Sequence, residues 1–238
     1  MPEIAIRDGV CRVAHEGSWL VTGPLGGQQA ADGAAIVSVP ADWSARDLDR
    51  AARARLARAG FDHVPTLFTA VDVATARGAR LDGVCVIATA GLTNPAALPL
   101  DPSEADDPPG QVDDVGATDE KTPFHPGTVN LVVTTDRALA GGTQATLLAT
   151  VVEAKTATLH ALTGFTGTTS DAVAIGSDRS GPDAAFAGAA TPVGDAARAC
   201  VREAVRAALA AGDRDPPASV ATADAGARTD RRAEVFDP

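Results

Sequence analysis

The stretch NLVVTTDRALAGGTQATLLATVVEAKTATLHALTG, residues 130–164, decides the fold class because a β-rich run passes directly into a helical pattern. Its first residues are mostly β-branched, as in strands. Residues 144–162 place apolar side chains along one stripe of a helix. A second strand is predicted from Asp171, and a second amphipathic helix is predicted to end at Gly212. This alternation predicts a single α/β or α+β domain with a mixed β-sheet packed by helices.

The N-terminal part of the chain adds strands and one more helix to this domain. A hairpin is predicted around Asp8-Gly9, a residue pair that favours two-residue β-turns. SARDLDRAARARLARAG predicts a helix with Ser44 as its N-cap and Gly60 just past its end. The apolar run GVCVIATAG, residues 83–91, is typical of a strand that is buried on both faces.

Two segments differ from this pattern. Residues 99–122 are rich in Pro, Asp and Gly and have little to bury, so they predict an acidic insertion loop. Residues 213–238 are polar and rich in Pro, Asp and Arg, which predicts a disordered C-terminal tail. The folded domain is therefore expected to cover residues 1–212.

The charge of the chain is strongly acidic. Asp and Glu number 31 against 20 Lys and Arg, and the only lysines are Lys121 and Lys155. Dense short carboxylates keep a surface hydrated in concentrated salt, so the composition favours a halophilic source. A genome rich in G and C would produce a similar bias. With either origin, the acidic charge argues against binding to nucleic acid, which requires clustered Lys and Arg.

The cysteines and histidines do not indicate a metal or disulfide framework. Three Cys and four His are scattered along the chain without the spacing of metal ligands, so no metal site is predicted. The N-terminus carries Glu3, Arg7 and Asp8 where a signal peptide would be apolar. No apolar run reaches the roughly 18 residues of a membrane-spanning helix. We therefore expect a cytoplasmic protein with no membrane partner.

Lys155 lies in the middle of the apolar stripe of the 144–162 helix, where a charged side chain is unexpected. Its ammonium group could reach into a cleft as a proton carrier or an anion-binding donor. Alternatively, Lys155 extends to a helix end or pairs with a structural carboxylate. Glu153 is the only other charged residue of this helix, and a buried Glu can act as a general base. A helix with so few charges also predicts packing on both of its sides.

Three loops could complete a site around this helix. GFTGTTSDAVAIGS, residues 164–177, offers backbone N–H groups and hydroxyl groups to a polar ligand or an oxyanion, although a plain turn of small residues is the alternative. Asn94, before Pro95, marks a turn that could face a ligand. His125 precedes a Pro-Gly turn, and a single histidine is more often structural than catalytic. TGPLGGQ matches no nucleotide-binding fingerprint, and GxSxG and HExxH are absent.

Three motifs in sequence order resemble the adenosylcobinamide amidohydrolases. They are Gly127-Thr128-Val129-Asn130, Glu153-Ala154-Lys155-Thr156 and the loop from Thr166 to Asp171. WLVTGPLGGQ, TAGLTNPA and AGAATPVGDAARACVREAV are similar to other segments of the same family, so the resemblance covers about residues 15–210. Thr169 departs from the family pattern, where a Gly is frequent.

The resemblance implies an enzyme of corrinoid salvage. Members of this family, typical of archaea, hydrolyse the amide that joins aminopropanol to the corrin ring, and the products are adenosylcobyric acid and aminopropanol. The cobalt would arrive within the corrinoid substrate, so no further cofactor is expected. The sequence leaves the oligomeric state open, and a homo-oligomer is possible.

The resemblance marks positions, and the roles are our hypothesis. Glu153 would be the general base, and Lys155 would polarise the carbonyl or protonate the amine. Asn130 and the backbone of Gly167 and Thr168 would hold the oxyanion, and Asp171 would orient Lys155 or bind the aminopropanol hydroxyl. The residues expected to bind the substrate are Asn94, His125, Thr128, Thr156, Gly167, Thr168 and Ser170.

Other functions remain compatible with the sequence. Thr168 or Ser170 could be a covalent nucleophile in place of an activated water. The chain could also bind corrinoids without catalysis, or act as an amidase on another amide.

Overall fold

A mixed eight-stranded β-sheet carries three helices on its convex face. A computed structural model describes residues 1–101, 129–223 and 225–237. Within these ranges the helices are α1 (Leu48–Arg58), α2 (Gly141–Thr163) and α3 (Pro192–Ala211). The strands are β1 (Glu3–Arg7), β2 (Val10–Val21), β3 (Gly27–Ser38), β4 (Thr66–Thr69), β5 (Arg77–Leu81), β6 (Val84–Ala90), β7 (Pro95–Ala97), β8 (Val129–Thr135), β9 (Gly167–Thr168), β10 (Ala172–Ser177) and β11 (Ala227–Arg228). The predicted class, a single α/β domain with a mixed sheet, is confirmed.

The order of the large sheet is β4-β3-β2-β10-β8-β6-β5, and β1 pairs with a free part of β2. Two crossovers, β3-α1-β4 and β8-α2-β10, join parallel neighbours. The other pairs of this sheet are antiparallel. The buried strand predicted at residues 83–91 is β6, whose seven residues are all buried between two layers.

The two faces of the sheet have separate cores. On the convex face, α2 and α3 cover β6, β8 and β10, while α1 covers β3 and β4. On the concave face the sheet curls over itself around residues such as Trp19, Ile36 and Val132. The curl brings β4 close to β8. As a result, the side chain of Asn130 in β8 donates a hydrogen bond to the carbonyl of Phe68 in β4 at 2.7 Å.

Local signals explain most of the element boundaries. Asp8 and Gly9 have φ values of 46° and 74°, so the predicted hairpin turn is confirmed. The N-cap of α1 is Asp47, which accepts a hydrogen bond from the Arg50 amide at 2.9 Å. The prediction of Ser44 was wrong because Asp47 offers a carboxylate one turn later, where the helix begins.

The helix predicted at 144–162 extends over Gly141–Thr163 and ends at Gly164, which has a left-handed φ of 78°. One face of α2 packs on the sheet and on α3, whereas Ala145, Ala149 and Glu153 are exposed. The predicted packing on both sides was therefore wrong. Small alanines, not polar residues, form much of the solvent-facing side, and this is why the charge count misled. The following strand begins at Ala172, one residue after the predicted Asp171.

A second, three-stranded sheet lies beside the first, in the order β11-β7-β9. Within residues 213–238, which were predicted to be disordered, Ala227 and Arg228 form the strand β11 and pair with β7. The edge of β7 leaves backbone groups that the C-terminal segment can satisfy. The predicted acidic loop at 99–122 lies mostly outside the described residues. No helix within the described ranges is long and apolar enough to cross a membrane.

Candidate active site

Lys155 lies on the buried face of α2, and only 5% of its surface is exposed. Its ammonium group forms an ion pair with the carboxylate of Asp171, in the turn between β9 and β10. The two side chains are 7% and 12% exposed, so both charges are largely removed from water. A buried ammonium group requires a charged partner, and Asp171 supplies it. The interpretation in which Lys155 extends to a helix end does not hold.

Asp171 is held by three donors. Its Oδ2 accepts from Lys155 and from the backbone N–H of Thr168 at 3.1 Å, and its Oδ1 accepts from the Thr168 hydroxyl. These bonds fix the carboxylate in one orientation, and one lone pair on Oδ1 is left to accept a further hydrogen bond. The prediction that Asp171 orients Lys155 agrees with this geometry. The Thr168 N–H points to Asp171, so this backbone group does not serve as the predicted oxyanion donor.

Gly167 allows the loop to approach this ion pair closely. A Cβ atom at this position would lie 2.6 Å from Asp171 Oδ2 and 3.2 Å from Lys155 Nζ. The first distance is too short for any side chain, so residue 167 has to be glycine in this conformation. The small-residue loop therefore has a specific role in packing the backbone against the two charges.

Asn94 organises the hydroxyl groups of the same loop. Its side-chain nitrogen donates to Thr169 Oγ1 at 2.6 Å and approaches Ser170 Oγ at 3.5 Å. Its backbone carbonyl accepts from the Thr169 N–H at 3.2 Å. Because Asn94 donates to the hydroxyl oxygens, these contacts do not use the hydroxyl hydrogens of Thr169 and Ser170, which can donate to a ligand. Sequence reasoning treated Thr169 only as a departure from the family pattern and missed this contact.

The small sheet holds these groups in register. Pro95 and Ala96 of β7 pair with Thr168 and Gly167 of β9. Thr166 donates from both its backbone N–H and its hydroxyl to the Ala96 carbonyl, at 2.9 and 3.0 Å. The turn after the buried strand β6 and the turn after α2 thus form one rigid unit. No sequence motif indicated this pairing, because strands of two or three residues carry almost no periodic signal.

Asn130 is held by hydrogen bonds within the large sheet. It is fully buried on the concave side of β8, where its side-chain nitrogen binds the Phe68 carbonyl. Its side-chain oxygen accepts from the Ala172 N–H at 3.2 Å. Asn130 therefore joins β4 and β10 across the curled sheet. These contacts use one N–H and the oxygen of the Asn130 amide within the core, and the predicted oxyanion role of Asn130 stays a prediction.

Glu153 points away from the ion pair. Its side chain is 61% exposed and forms a salt bridge with Arg198 of α3 at 2.5 Å. Residues two apart on a helix differ by about 200° in direction, so Glu153 and Lys155 cannot share one pocket. The prediction of Glu153 as the general base is therefore not supported. Thr156 is partly buried beside Lys155 on the helix, whereas His125 and Thr128 lie outside the described residues.

The part of the chain that the structure describes has cavities apart from this cluster. Two open cavities of about 750 and 670 Å³ lie elsewhere, and both are lined by Arg179. Among the described residues, no group of three or more His, Cys, Asp or Glu is arranged to hold a metal ion. The arrangement of Lys155, Asp171 and the loop hydroxyls can donate and accept protons and stabilise a developing negative charge.

Comparisons with known proteins identify the family of this chain. The family model CbiZ, described as adenosylcobinamide amidohydrolase, matches residues 7–216. A protein of Halobacterium salinarum named adenosylcobinamide amidohydrolase is 47% identical over 242 aligned residues, which cover 100% of both chains. No solved structure is significantly similar to this chain. The chain belongs to the adenosylcobinamide amidohydrolase family.

Proposed function

We propose that this chain hydrolyses the amide between the corrin ring and the aminopropanol arm of adenosylcobinamide, as an enzyme of corrinoid salvage. Membership of the family supports this activity. The observation that carries the proposed site is the buried ion pair of Lys155 and Asp171 below a loop of hydroxyl groups. Amide hydrolysis needs a base for water, donors for an oxyanion and a proton for the departing amine, and this cluster supplies all three.

Asp171 takes the role of general base that the sequence suggested for Glu153. Thr168 and Lys155 fix its carboxylate, and the remaining lone pair on Oδ1 accepts a proton from the attacking water. The ammonium group of Lys155 and the hydroxyl hydrogens of Thr169 and Ser170 stabilise the oxyanion. In a site with little water these donors act more strongly than in solution.

The protons balance over one cycle. Water gives one proton to Asp171 and adds its oxygen to the carbonyl carbon. Lys155 then protonates the amine nitrogen as the carbon–nitrogen bond breaks. The neutral Lys155 recovers a proton from Asp171, its direct hydrogen-bond partner, and the ion pair forms again. The net reaction consumes one water and yields a carboxylic acid and an amine.

A covalent route has one observation in its favour. The hydroxyl of Thr168 donates to Asp171, which would accept its proton if the oxygen attacked the carbonyl. Thr168→Val removes this nucleophile, and Thr168→Ser retains it. If water is the nucleophile, Thr168→Val keeps measurable turnover, and mass analysis of wild-type protein quenched during turnover finds no acyl adduct.

The test of the activity is the release of aminopropanol from adenosylcobinamide, measured by mass analysis. Lys155→Met and Asp171→Asn are expected to lower turnover at least about a hundredfold. Glu153→Gln is the matched control on the same helix and is expected to retain turnover. Stoichiometric uptake of cobinamide without aminopropanol would instead support a binding protein. Near-normal turnover in both folded site variants would refute the assigned roles.

The cellular setting is part of the same proposal. The acidic composition and the relative from Halobacterium salinarum support a halophilic source. The place of this family in corrinoid salvage supports a cytoplasmic location. The negative net charge argues against nucleic acid as a partner. Cobalt enters with the substrate, and no additional cofactor is required by the proton cycle above.

A further inference from the structure

The strand β1 forms an edge whose outward backbone groups have no partner among the described residues. Arg7 and Val10 flank the two-residue turn at Asp8-Gly9, so they form a hydrogen-bonded pair. Hydrogen-bonded and non-hydrogen-bonded pairs alternate along an antiparallel ladder. The backbone groups of Ala5 and Glu3 therefore also bond to β2. It follows that Ile4 and Ile6 direct their N–H and C=O groups away from β2, toward the free edge.

The side chains of this edge are apolar on one face and charged on the other. Ile4 and Ile6 lie opposite Val13 and Cys11, on the concave side of the sheet, and are 44% and 47% exposed. Glu3 and Arg7 lie on the other face and are also exposed. A short edge with exposed isoleucines is a natural template for strand addition.

We propose that two copies of this chain pair antiparallel through β1, with Ala5 on the twofold axis. In this register Ile4 of each copy faces Ile6 of the other, and their outward N–H and C=O groups form four hydrogen bonds. Glu3 of each copy faces Arg7 of the other, which places opposite charges directly across the ladder. Exposed isoleucines, backbone groups and charges are all paired by the same twofold operation.

Neighbouring registers satisfy fewer of these groups. A shift by one residue would turn the side chains of one strand to the other face. A shift by two residues would place Glu3 or Arg7 opposite Ala5, and one such shift would place Ile6 opposite Pro2. Proline has no N–H to donate, so the ladder loses bonds in that register. The Ala5-centred register is therefore specific to a second copy of this sequence.

The first test uses backbone donors. The full chain is expected to sediment as a concentration-dependent dimer. Ile4→Pro removes an outward N–H that β2 does not use, and it should weaken the dimer by about tenfold or more. Arg80→Pro is the matched control, because Arg80 directs its N–H outward from β5, at the opposite edge of the sheet. Circular dichroism checks that both variants remain folded.

The second test uses charge exchange. Glu3→Arg and Arg7→Glu should each weaken the dimer about tenfold, because each places like charges opposite one another twice. The combined variant with both changes should restore the wild-type dimer within about threefold. A monomer at every concentration, a dimer that Ile4→Pro leaves unchanged, or single charge variants that the double variant does not rescue would each overturn the proposal.

Discussion

Replacement of Lys155 by methionine tests whether the charge on α2 belongs to a buried pair. Methionine matches the length of the lysine stem and keeps most of its packing contacts, so the substitution removes little except the ammonium group. Asp171 is 12% exposed and has three described donor groups. Without the ammonium group it would retain the two that belong to Thr168, the backbone N–H and the hydroxyl. Breaking a buried ion pair costs about 3–5 kcal/mol. Because Thr168 still donates twice, we expect about 3 kcal/mol for Lys155→Met.

The expected loss can be read from thermal unfolding. For a chain of this size about 1 kcal/mol corresponds to roughly 2–4 °C, so Lys155→Met should lower Tm by about 6–12 °C. Glu153→Gln breaks the exposed salt bridge with Arg198 and should cost at most about 1 kcal/mol. Addition of Asp171→Asn to Lys155→Met should recover about 2 kcal/mol, because the neutral amide no longer needs the cation.

The two effects of this variant have to be separated by temperature. Turnover measured well below Tm reports the chemistry, while calorimetry at the same salt concentration reports stability. We expect turnover to fall at least about a hundredfold even where the variant is fully folded. A Tm within about 1 °C of the Glu153→Gln variant would refute the reasoning, since it would mean that Asp171 needs no cation.

Three further predictions follow from the same structure. Gly167→Ala should lower turnover about a hundredfold while the protein stays folded, because the new Cβ would lie 2.6 Å from Asp171 Oδ2 and displace the carboxylate. Unchanged kinetics would contradict this close approach. Burial lowers the pKa of His15 from 6.5, so the unfolded state binds more protons and the free energy of unfolding should fall as pH drops below about 6.5. Denaturant titrations should show a flatter pH profile of this free energy for His15→Gln. An identical slope in the two proteins would count against the prediction. Burial raises the pKa of Cys11 and Cys200 to about 11, so a chromogenic disulfide reagent at pH 8 should react with them only in denaturant, and rapid labelling of the native protein would disprove their burial.

The elements with strong local signals could be predicted from the sequence. The hairpin at Asp8-Gly9 requires two left-handed residues in succession, and few residue pairs accept that conformation. The buried strand β6 is an unbroken apolar run, and Gly164 marks the end of α2. Each of these features depends on residues that are close together in the chain, which is why pattern and propensity were sufficient.

The elements that depend on distant contacts could not be predicted. The curl of the sheet brings the Phe68 carbonyl to Asn130, and no periodicity in either strand indicates that meeting. The strand β11 pairs with β7, which is distant in sequence, so the composition of the C-terminal segment alone did not indicate a strand there. Sequence alone therefore missed the use of Asn130 in the core.

The error over Glu153 has a simpler physical origin. Glu153 and Lys155 were grouped because they are neighbours in one motif, but α2 turns them to opposite directions. The correct partner, Asp171, is 16 residues away in sequence and reaches Lys155 through the turn after β9. Within a helical motif, only residues three or four apart should be assigned to the same pocket.

The choice of lysine at this position agrees with a role in proton transfer. The chain has only two lysines among its 20 basic residues, so a cation that merely neutralised Asp171 would be expected to be arginine. Arginine stays charged under all ordinary conditions, whereas an ammonium group in a dry pocket can release a proton to a departing amine. Lys155→Arg should accordingly preserve more of the stability than Lys155→Met while losing turnover to a similar extent. Recovery of near-normal turnover in Lys155→Arg would show that only the positive charge matters, and the proton cycle proposed for this site would then be wrong.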